Sequence, residues 1–461
     1  MTGLFSVLST GLGGLKAASF GTSVASENAS NVGTDGYTRR VADIQPLAPD
    51  VIGGAFSAKS VRMADSFIER RLVSAKSLQG QAKANSQTLA VLDSVLGDEA
   101  GNLYSALDKF EAAISDLASS PDEAAVRNTV LASADQLATA FRQAASDLTA
   151  ARVDTNGRIS DAVTQINTRI EQIAQLNADI VKSSVAGRDA NTLIDQRDKL
   201  VREVASYAPV TVLPGPNQTV NVMLAGSKSL VSAEGTVNRL TATADPTSGE
   251  VRIYTTTAGA TEDISPLFTS GSIGGYIAAR DGALNEAQTG LDQLATDFIN
   301  AYNTVHASGV GLDGGTGRNL FEPATALGAA ANFRVSADVA NRPDWIAAAQ
   351  ESSALTGDNR IALALEALKE SKFALSGRAT AQDGLLSLAA AGGSAVQRAD
   401  ADLEHANTVT DQLVNLREST SGVSTDEEMI ALSRYQRAYQ ASVRVVDIAN
   451  SLLDELLVMG R

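Results

Sequence analysis

Two stretches of the chain carry apolar or small residues at alternating intervals of three and four: MTGLFSVLSTGLGGLKAASFGTSVASENAS (residues 1–30) and EEMIALSRYQRAYQASVRVVDIANSLLDELLVM (residues 427–459). Such intervals place the residues in one narrow stripe along a helix. The first stripe consists of Phe5, Leu8, Leu12, Leu15, Ser19, Thr22, Ser26 and Ala29. The second runs over about four heptads and consists of Met429, Leu432, Gln436, Tyr439, Val443, Val446, Asn450, Leu453 and Leu457. Both ends of the chain are therefore predicted to be coiled-coil-like helices.

A single amphipathic helix is unstable in water because it bears its nucleation cost without burying its apolar stripe. The two stripes are therefore expected to pack on each other, on neighbouring copies of the chain, or on both. Gln436 and Asn450 are polar members of the second stripe and either fix its register or lie in a solvated, frayed part. Gly11, Gly13 and Gly14 follow no strand, so we interpret them as points of close helix approach and not as a phosphate-binding loop.

Between the ends, the apolar spacing predicts helices interrupted by one β-rich segment. Glycines and prolines from Asn31 to Val61 indicate loop and short strands. β-branched residues and prolines after Tyr207, as in Val251-Arg252-Ile253-Tyr254-Thr255, predict a small β-rich domain. Helical spacing covers 65–97, 103–117, 122–206, 273–306, 359–371 and 381–418.

The predicted fold is mainly α with a β-rich middle domain. It combines terminal coiled-coil helices, a long helical bundle built from both halves of the chain, and a small β domain at the tip. The expected boundaries are 1–40 and 421–461 for the terminal coiled-coil domain, 41–206, 271–306 and 351–420 for the helical rod domain, and 207–270 and 307–350 for the β-rich outer domain.

Composition excludes several classes of function. The 461 residues include 37 Lys and Arg against 53 Asp and Glu, and a net charge of −16 argues against unspecific binding of nucleic acid or an anionic membrane. The chain has no cysteine and two histidines, His306 and His405, so thiolate metal sites and His-rich metal sites are excluded, and no metal or cofactor is expected. The sequence has neither a transmembrane run nor a standard secretory signal, so export would need another route.

Few residue groups suggest chemistry. Asp195-Gln196-Arg197-Asp198 concentrate charge on one helix, either as a buried or inter-domain ion network or as a solvated face. Gly311 to Gly317 are interpreted as a turn, because their acidic residues lack EF-hand spacing. Neither histidine lies near a serine in an elbow motif, so both are expected to be surface or helix-cap residues. A hydrolase in the middle segment is an alternative, although the segment is short and poor in aromatic residues.

Two signatures flank the terminal helices. The segment SENASNVGTDGYTRR (26–40) resembles the signature of bacterial flagellar rod, hook and hook-associated proteins. SGVSTDEE (421–428) and RYQRAYQAS (434–442) resemble their C-terminal signature, in the form of the hook-associated protein 1 (FlgK type) family. VRMADSFI (61–68), Pro121 with Arg127, and Leu176-Asn177 followed by LIDQRDKL (193–200) add internal motifs. Asp35 stands where proline is usual and Ala29 where isoleucine is common.

This resemblance implies a structural subunit of the bacterial flagellum and not an enzyme. The subunit would form the hook-filament junction, assemble through coiled-coil packing of its terminal helices, and be required for filament growth. The implied partners are further copies in a ring or helical tube, hook protein, a second hook-associated protein, the flagellar export apparatus and an export chaperone, with no nucleic acid and no membrane insertion. The implied location is the extracellular flagellum, reached by type III export without a cleaved signal, with ends disordered until assembly.

The residues expected at the assembly interface combine both stripes with the signature turn. They are Phe5, Leu8, Leu12, Leu15, Asn28, Asn31, Gly36, Tyr37, Met429, Leu432, Tyr435, Tyr439, Val443, Val446, Asn450, Leu453 and Leu457. Tyr37 is expected to anchor the turn after Gly36, and Tyr439 to fill the stripe with Tyr435 at its flank. Two alternatives are another axial component, such as hook protein or the second hook-associated protein, and a cytoplasmic coiled-coil adaptor. In the adaptor, protease would spare residues 1–40 and 425–461 of the monomer.

Overall fold

The computed structural model describes residues 2–46, 56–97, 102–257, 259–325 and 328–459, and most of them are helical. A π-helical turn, Arg280–Leu284, joins the sixth helix to the seventh. The helices of the described residues are α1 (Thr2–Ser30), α2 (Ser66–Leu96), α3 (Asn102–Ser119), α4 (Ala124–Val185), α5 (Asn191–Tyr207), α6 (Gly271–Ala279), α7 (Asn285–Ala307), α8 (Arg360–Glu366), α9 (Ala374–Gly377), α10 (Ala381–Ser421) and α11 (Thr425–Met459).

The described strands form three small antiparallel sheets. β1 (Arg40–Pro46) pairs with β2 (Phe56–Arg62), and we call this two-stranded sheet between α1 and α2 the β ribbon. The second sheet consists of β3 (Val210–Pro214), β4 (Val220–Leu224) and β5 (Lys228–Val231), and the third of β6 (Leu240–Ala244), β7 (Val251–Thr257) and β8 (Ala260–Asp263). The predicted fold class, mainly α with a β-rich middle, is confirmed.

The helices between the chain ends pack around two hydrophobic cores that share the long helix α4. The first core contains α3, the N-terminal half of α4 and α7, and at its centre the ring of Phe298 stacks on Tyr302 with 4.4 Å between centroids. The second core contains the C-terminal half of α4, α5 and the two three-stranded sheets. Residues of 307–350, such as Phe321 and Phe333, pack in the first core, and the domain boundaries expected from the sequence stay a prediction.

Two asparagines of α4 attach the three-stranded sheets to the helix. Asn167 donates to the carbonyl of Leu240 at 2.8 Å and accepts from its N–H at 2.9 Å. Asn177 makes the same pair of bonds with Val220, at 2.9 and 3.3 Å. Because a buried backbone group without a partner is costly, each amide takes the place of a neighbouring strand and fixes one sheet on α4.

His306 lies in the last turn of α7 and is buried. Its Nδ1 lies 2.8 Å from the carbonyl oxygen of Arg318, and its Nε2 lies 2.9 Å from the backbone nitrogen of Ala347. Because the carbonyl only accepts and the amide only donates, the ring is neutral with its proton on Nδ1, and burial lowers the pKa of His306 to about 4. The expectation of a surface or helix-cap residue is therefore wrong for His306, whose ring binds residues outside α7, whereas His405 is exposed on α10.

Candidate assembly surface and polar junction

α1 and α11 pack against each other through glycines of α1. A Cβ on Gly11 would lie 2.9 Å from a methyl group of Val446, and a Cβ on Gly21 would lie 2.4 Å from the ring of Tyr435. The helices run antiparallel, since higher numbers on α1 face lower numbers on α11. The two chain ends thus pack on each other, and Gly11 is confirmed as a point of close approach.

This contact buries small side chains. Among the described side chains of the two helices, the buried apolar ones are Ala18, Val24, Ala25 and Ala449. Hydrophobic stabilisation is proportional to the apolar area removed from water, so one valine and three alanines contribute little.

Large apolar residues of the predicted stripes lie outside this contact. Phe5 and Met429 are 56% and 63% exposed, and Leu12, Tyr439 and Asn450 are also exposed. The half-buried members are Leu8, Leu15, Asn31, Leu432, Tyr435, Val443, Val446 and Leu453. The side chain of Leu457 lies outside the described part of the chain.

The helix pair therefore has an apolar outer surface that no described part of this chain covers. It includes three residues that were not expected from the stripes, Ile430, Ile448 and Leu452. We call the set the terminal-helix surface, and it consists of Phe5, Leu12, Met429, Ile430, Tyr439, Ile448 and Leu452. Several large apolar side chains exposed on one helix pair are typical of protein–protein contact sites.

Where the helix pair meets the β ribbon, α5 and α10, buried and half-buried polar side chains connect distant parts of the chain. We call this set the polar junction, and it consists of Glu27, Asn28, Tyr37, Arg39, Arg40, Arg62, Glu69, Asp195, Asp198, Arg202, Arg417 and Glu428.

Asn28 makes four hydrogen bonds within the polar junction. Its Nδ2 donates to the carbonyl of Arg40 at 2.8 Å and to Glu428 at 3.1 Å. Its Oδ1 accepts from the hydroxyl of Tyr37 at 2.8 Å and from the N–H of Arg40 at 3.0 Å. The side chain is buried with its hydrogen-bonding capacity filled, so it fixes α1, the signature turn and α11 in one arrangement.

The buried carboxylate of Glu428 joins the beginning of α11 to the residue before the β ribbon. Arg39 lies 2.8 Å from Glu428 through Nε and 2.7 Å from Glu427 through Nη1. The N–H of Arg39 also donates to the carbonyl of Ser421 at 2.8 Å. A charged hydrogen bond to a buried carboxylate is among the stronger ones, so these contacts define where α11 begins relative to the β ribbon.

A second group of ion pairs joins the β ribbon to α5. Arg62 lies 2.7 Å from Asp195 and 2.9 Å from Asp198. Arg40 contacts Asp195 at 3.5 Å and pairs with Glu27 on α1. Asp195 is buried, so the interpretation of residues 195–198 as an inter-segment ion network is confirmed over that of a solvated face.

Arg417 of α10 holds the turn that precedes the β ribbon. Its Nε lies 2.7 Å from Glu69, and its Nη2 donates to the carbonyls of Gly36 and Tyr37 at 3.2 and 3.3 Å. Gly36 has φ +86°, a backbone conformation that favours glycine, and a Cβ there would lie 3.3 Å from Arg202. The signature turn therefore depends on contacts from both halves of the chain.

Two titratable groups of the turn respond to these surroundings. Burial raises the pKa of Tyr37 to about 12. The hydrogen bond from Lys199, at 2.9 Å, lowers the pKa of the Asp35 carboxyl. Asp35, which replaces the usual proline of the signature, thus gains a partner on α5.

The described residues contain no group of three or more His, Asp or Glu placed to hold a metal ion. In the same residues, no helix combines the length and the apolarity that a membrane span requires. Sequence reasoning missed Arg39, Arg40, Arg62, Arg417 and Glu428 as site residues. Arg39, Arg40 and Glu428 lie inside the two signatures, Arg62 lies in the internal motif 61–68, and Arg417 shortly precedes the second signature, and this is the signal that points to them.

Comparisons with known proteins give one consistent relationship. A family model for the flagellar hook-associated protein FlgK helical domain matches residues 89–321, and a model for the flagellar basal body rod FlgEFG protein C-terminal matches residues 417–459. Flagellar hook-associated protein 1 of Escherichia coli (strain K12) is 27% identical, over 98% of this chain and 99% of the relative. Flagellar hook-associated protein 1 of Bacillus subtilis (strain 168) is 26% identical, over 99% of this chain and 98% of the relative.

A solved structure agrees with the fold. The flagellar hook junction protein FlgK from Burkholderia pseudomallei has a TM-score of 0.69 at 18% identity, and the match covers 76% of this chain and 100% of that chain. The helical-domain model alone spans more than half of the residues. The chain belongs to the FlgK family of flagellar hook-associated proteins.

Proposed function

We propose that the chain is a structural subunit of the hook-filament junction, that it assembles through its terminal helices, and that filament growth requires it. The observation that carries the proposal is the terminal-helix surface, because a paired helical end with uncovered large apolar residues needs a partner. Family membership supports a flagellar role, and the name of the Burkholderia relative, a hook junction protein, supports the position.

The energetics of the terminal helices support assembly as the step that orders them. Fixing the backbone costs about 1–2 kcal/mol per residue, and the contact between α1 and α11 buries mainly glycines and alanines in return. Neighbouring copies would cover residues such as Phe5, Met429 and Ile430 at about 25 cal/mol per Å² of apolar area. The same ends are therefore weakly held in the free subunit and firmly held in a ring or helical tube.

The proposed partners follow from this position. Further copies of the chain surround each subunit, hook protein lies on one side, and a second hook-associated protein lies on the other. The export apparatus and an export chaperone handle the chain before assembly, and it reaches the extracellular flagellum without a cleaved signal. The proposed role is structural and includes no catalysis and no cofactor.

Deletion of the coding sequence in the source organism tests the proposal. The expected result is finished hooks without filaments and flagellin released into the medium, and restoration by the wild-type chain. Normal filaments in the deletion strain would overturn the proposal.

A pair of matched variants tests the surface itself. Ile430→Asp places a charge on the terminal-helix surface at a side chain that is 69% exposed, and Val185→Asp does the same at the end of α4, where exposure is 81%. Because both side chains face solvent, both variants are expected to fold. Only Ile430→Asp is expected to fail in restoring filaments, and equal restoration by both would exclude this surface.

A second candidate, another axial component, is favoured by the match of residues 417–459 to the rod protein C-terminal model. A rod or hook protein is distinguished by the deletion strain, which would then lack the hook itself.

A further inference from the structure

We propose that the outward face of the β ribbon is a second contact site for a neighbouring copy of this chain, used together with the terminal-helix surface. The inference rests on the proposed function, since it takes assembly of copies through the terminal helices as given.

The β ribbon has one face toward the protein and one face toward solvent. Arg40 and Arg62 lie opposite each other in the register, and both bind Asp195 on the inner face. Side chains alternate between the faces of a strand, so the next pair, Val41 and Val61, points outward. Both valines are exposed, and this outward pair is directly cross-strand.

The apolar character continues beyond this pair. The N–H of Met63 donates to the carbonyl of Arg39 at 2.8 Å, which extends the ladder by one step and places Met63 on the outward face beside Val61. Phe67, in the first turn of α2, follows. The exposed fractions of Val41, Val61, Met63 and Phe67 lie between 39% and 57%.

The outward face adjoins the terminal-helix surface. Arg39, at the base of the ribbon, binds Glu427 and Glu428 through its guanidinium. The next two residues of α11, Met429 and Ile430, belong to the terminal-helix surface. A neighbouring copy that covers the first turns of α11 therefore reaches the ribbon face as well.

The polar junction fixes the angle between the two surfaces. Asn28 of α1 binds both backbone groups of Arg40, the first residue of β1. The ribbon consequently cannot turn relative to α1 without breaking buried hydrogen bonds. A fixed orientation lowers the cost of binding a second site once the first is occupied.

The size of the patch indicates when it is used. Four apolar side chains at these exposures present roughly 300 Å², whereas a stable interface buries about 800 Å² per partner. The ribbon face alone is thus too small to hold two free subunits together. It contributes only where the terminal helices have already brought copies into contact.

Charge favours a second copy as the occupant. The chain carries a net charge of −16, so most pairs of surfaces on two copies repel each other. On the outward face, Arg39 pairs with Glu427, Lys59 lies opposite Asp43 in the register, and Arg71 lies over the ring of Phe67. This face combines apolar side chains with a charge that is not negative, so the acidic surface of a second copy meets it without that repulsion.

Site-specific photocross-linking in assembled flagella tests the inference. Val61 is replaced by p-benzoylphenylalanine in the full-length chain, and a matched control carries the same replacement at Val185. After irradiation of isolated flagella, position 61 is expected to give a covalent dimer in which mass spectrometry finds only this chain, and position 185 is expected to give none. A product that joins position 61 to a different protein, or no product although the chain is present, overturns the inference.

The same preparation separates this inference from the proposed function. Absence of the wild-type chain from isolated flagella overturns the proposed function and the inference with it, whereas presence without the dimer overturns the inference alone.

Val41→Asp combined with Val61→Lys provides a second measurement. Both side chains face solvent and the two new charges attract each other across the strands, so the melting temperature of the purified double variant is expected to stay close to that of wild type. Filament number in the complemented deletion strain is expected to fall at least tenfold, and Val185→Asp is expected to leave it unchanged. Wild-type filament numbers in the double variant contradict a contact at the ribbon face.

Discussion

Asn28→Ala is expected to release α1 from the β ribbon while the rod stays folded. The bond from the N–H of Met63 to the carbonyl of Arg39 marks a hydrogen-bonded pair of the ladder. Arg40 is next in register, so its backbone groups point away from β2, and both of them bind Asn28. Alanine at position 28 removes these two bonds at once.

The expected magnitude follows from burial. Arg40 is only 4% exposed, so water does not readily replace the lost partners. Each unpaired buried group costs about 1–3 kcal/mol, which gives about 2–6 kcal/mol for the two. The better helix propensity of alanine offsets about 0.5 kcal/mol. Even about 2 kcal/mol raises the population of the detached state about 30-fold.

Hydrogen-exchange mass spectrometry of peptides covering residues 37–45 measures this opening. Asn31→Ala is the matched control, because Asn31 directly follows the same helix and its Nδ2 donates to the carbonyl of Glu27, one turn earlier. The control is expected to change stability by no more than about 0.5 kcal/mol. Equal exchange rates in the two variants would refute the assignment of Asn28 as the residue that holds the ribbon.

Three further changes test other parts of the structure. Burial holds the pKa of His306 in the folded state at about 4, below its ordinary 6.5. The contribution of neutral His306 to the free energy of unfolding is therefore complete above pH 6.5, and about 3 kcal/mol of it is lost as the pH falls through 4. Urea unfolding of His306→Gln is expected to lack this loss, and an unchanged acid dependence contradicts it. Gly21→Ala drives a methyl group into Tyr435 and is expected to weaken the contact between α1 and α11 by about 1–3 kcal/mol, whereas the control Gly3→Ala meets open space. Limited proteolysis is expected to cut the terminal helices faster in Gly21→Ala, and equal cleavage rates in the two variants contradict the prediction. Tyr37 is expected to stabilise the turn fully below pH 10 and to lose that effect as the pH rises through about 12. An ultraviolet titration of wild type and Tyr37→Phe measures the ionisation of Tyr37 by difference, and a transition near pH 10 would contradict its burial.

The helical rod was largely predictable from the sequence because long helices with one buried face repeat their apolar spacing many times. The interruptions within it were less visible. The stretch 122–206 is two helices, separated near Gly187, whose φ of +67° ends α4. The π-helical turn after Ala279 depends on buried Arg280, which binds Asn156 and the carbonyl of Val251, contacts that only the folded chain provides.

The assembly surface was predicted in part. The predicted terminal stripes contained the large apolar residues of the two helices. The face of α1 that meets α11 instead contains Gly11, Ala18 and Gly21, because two helices this close together accept only small side chains between them. Both faces share the spacing of three and four, so periodicity alone does not distinguish them. In the polar junction, Asn28, Tyr37 and Asp195 were predicted, whereas their partners were missed because residues that pair in the fold lie far apart in the sequence.

The bond between Asn28 and Glu428 joins positions 400 residues apart. A chain truncated between residues 422 and 427 keeps every helix of both hydrophobic cores and still leaves Asn28 and Arg39 without this acceptor. The contacts of Asn28 and Arg39 with Glu428 therefore form only in a chain that includes residue 428, although the shorter chain has the same hydrophobic cores. Termination between residues 422 and 427 would therefore leave the helices of both cores in place and remove the contacts that close the base of the helix pair.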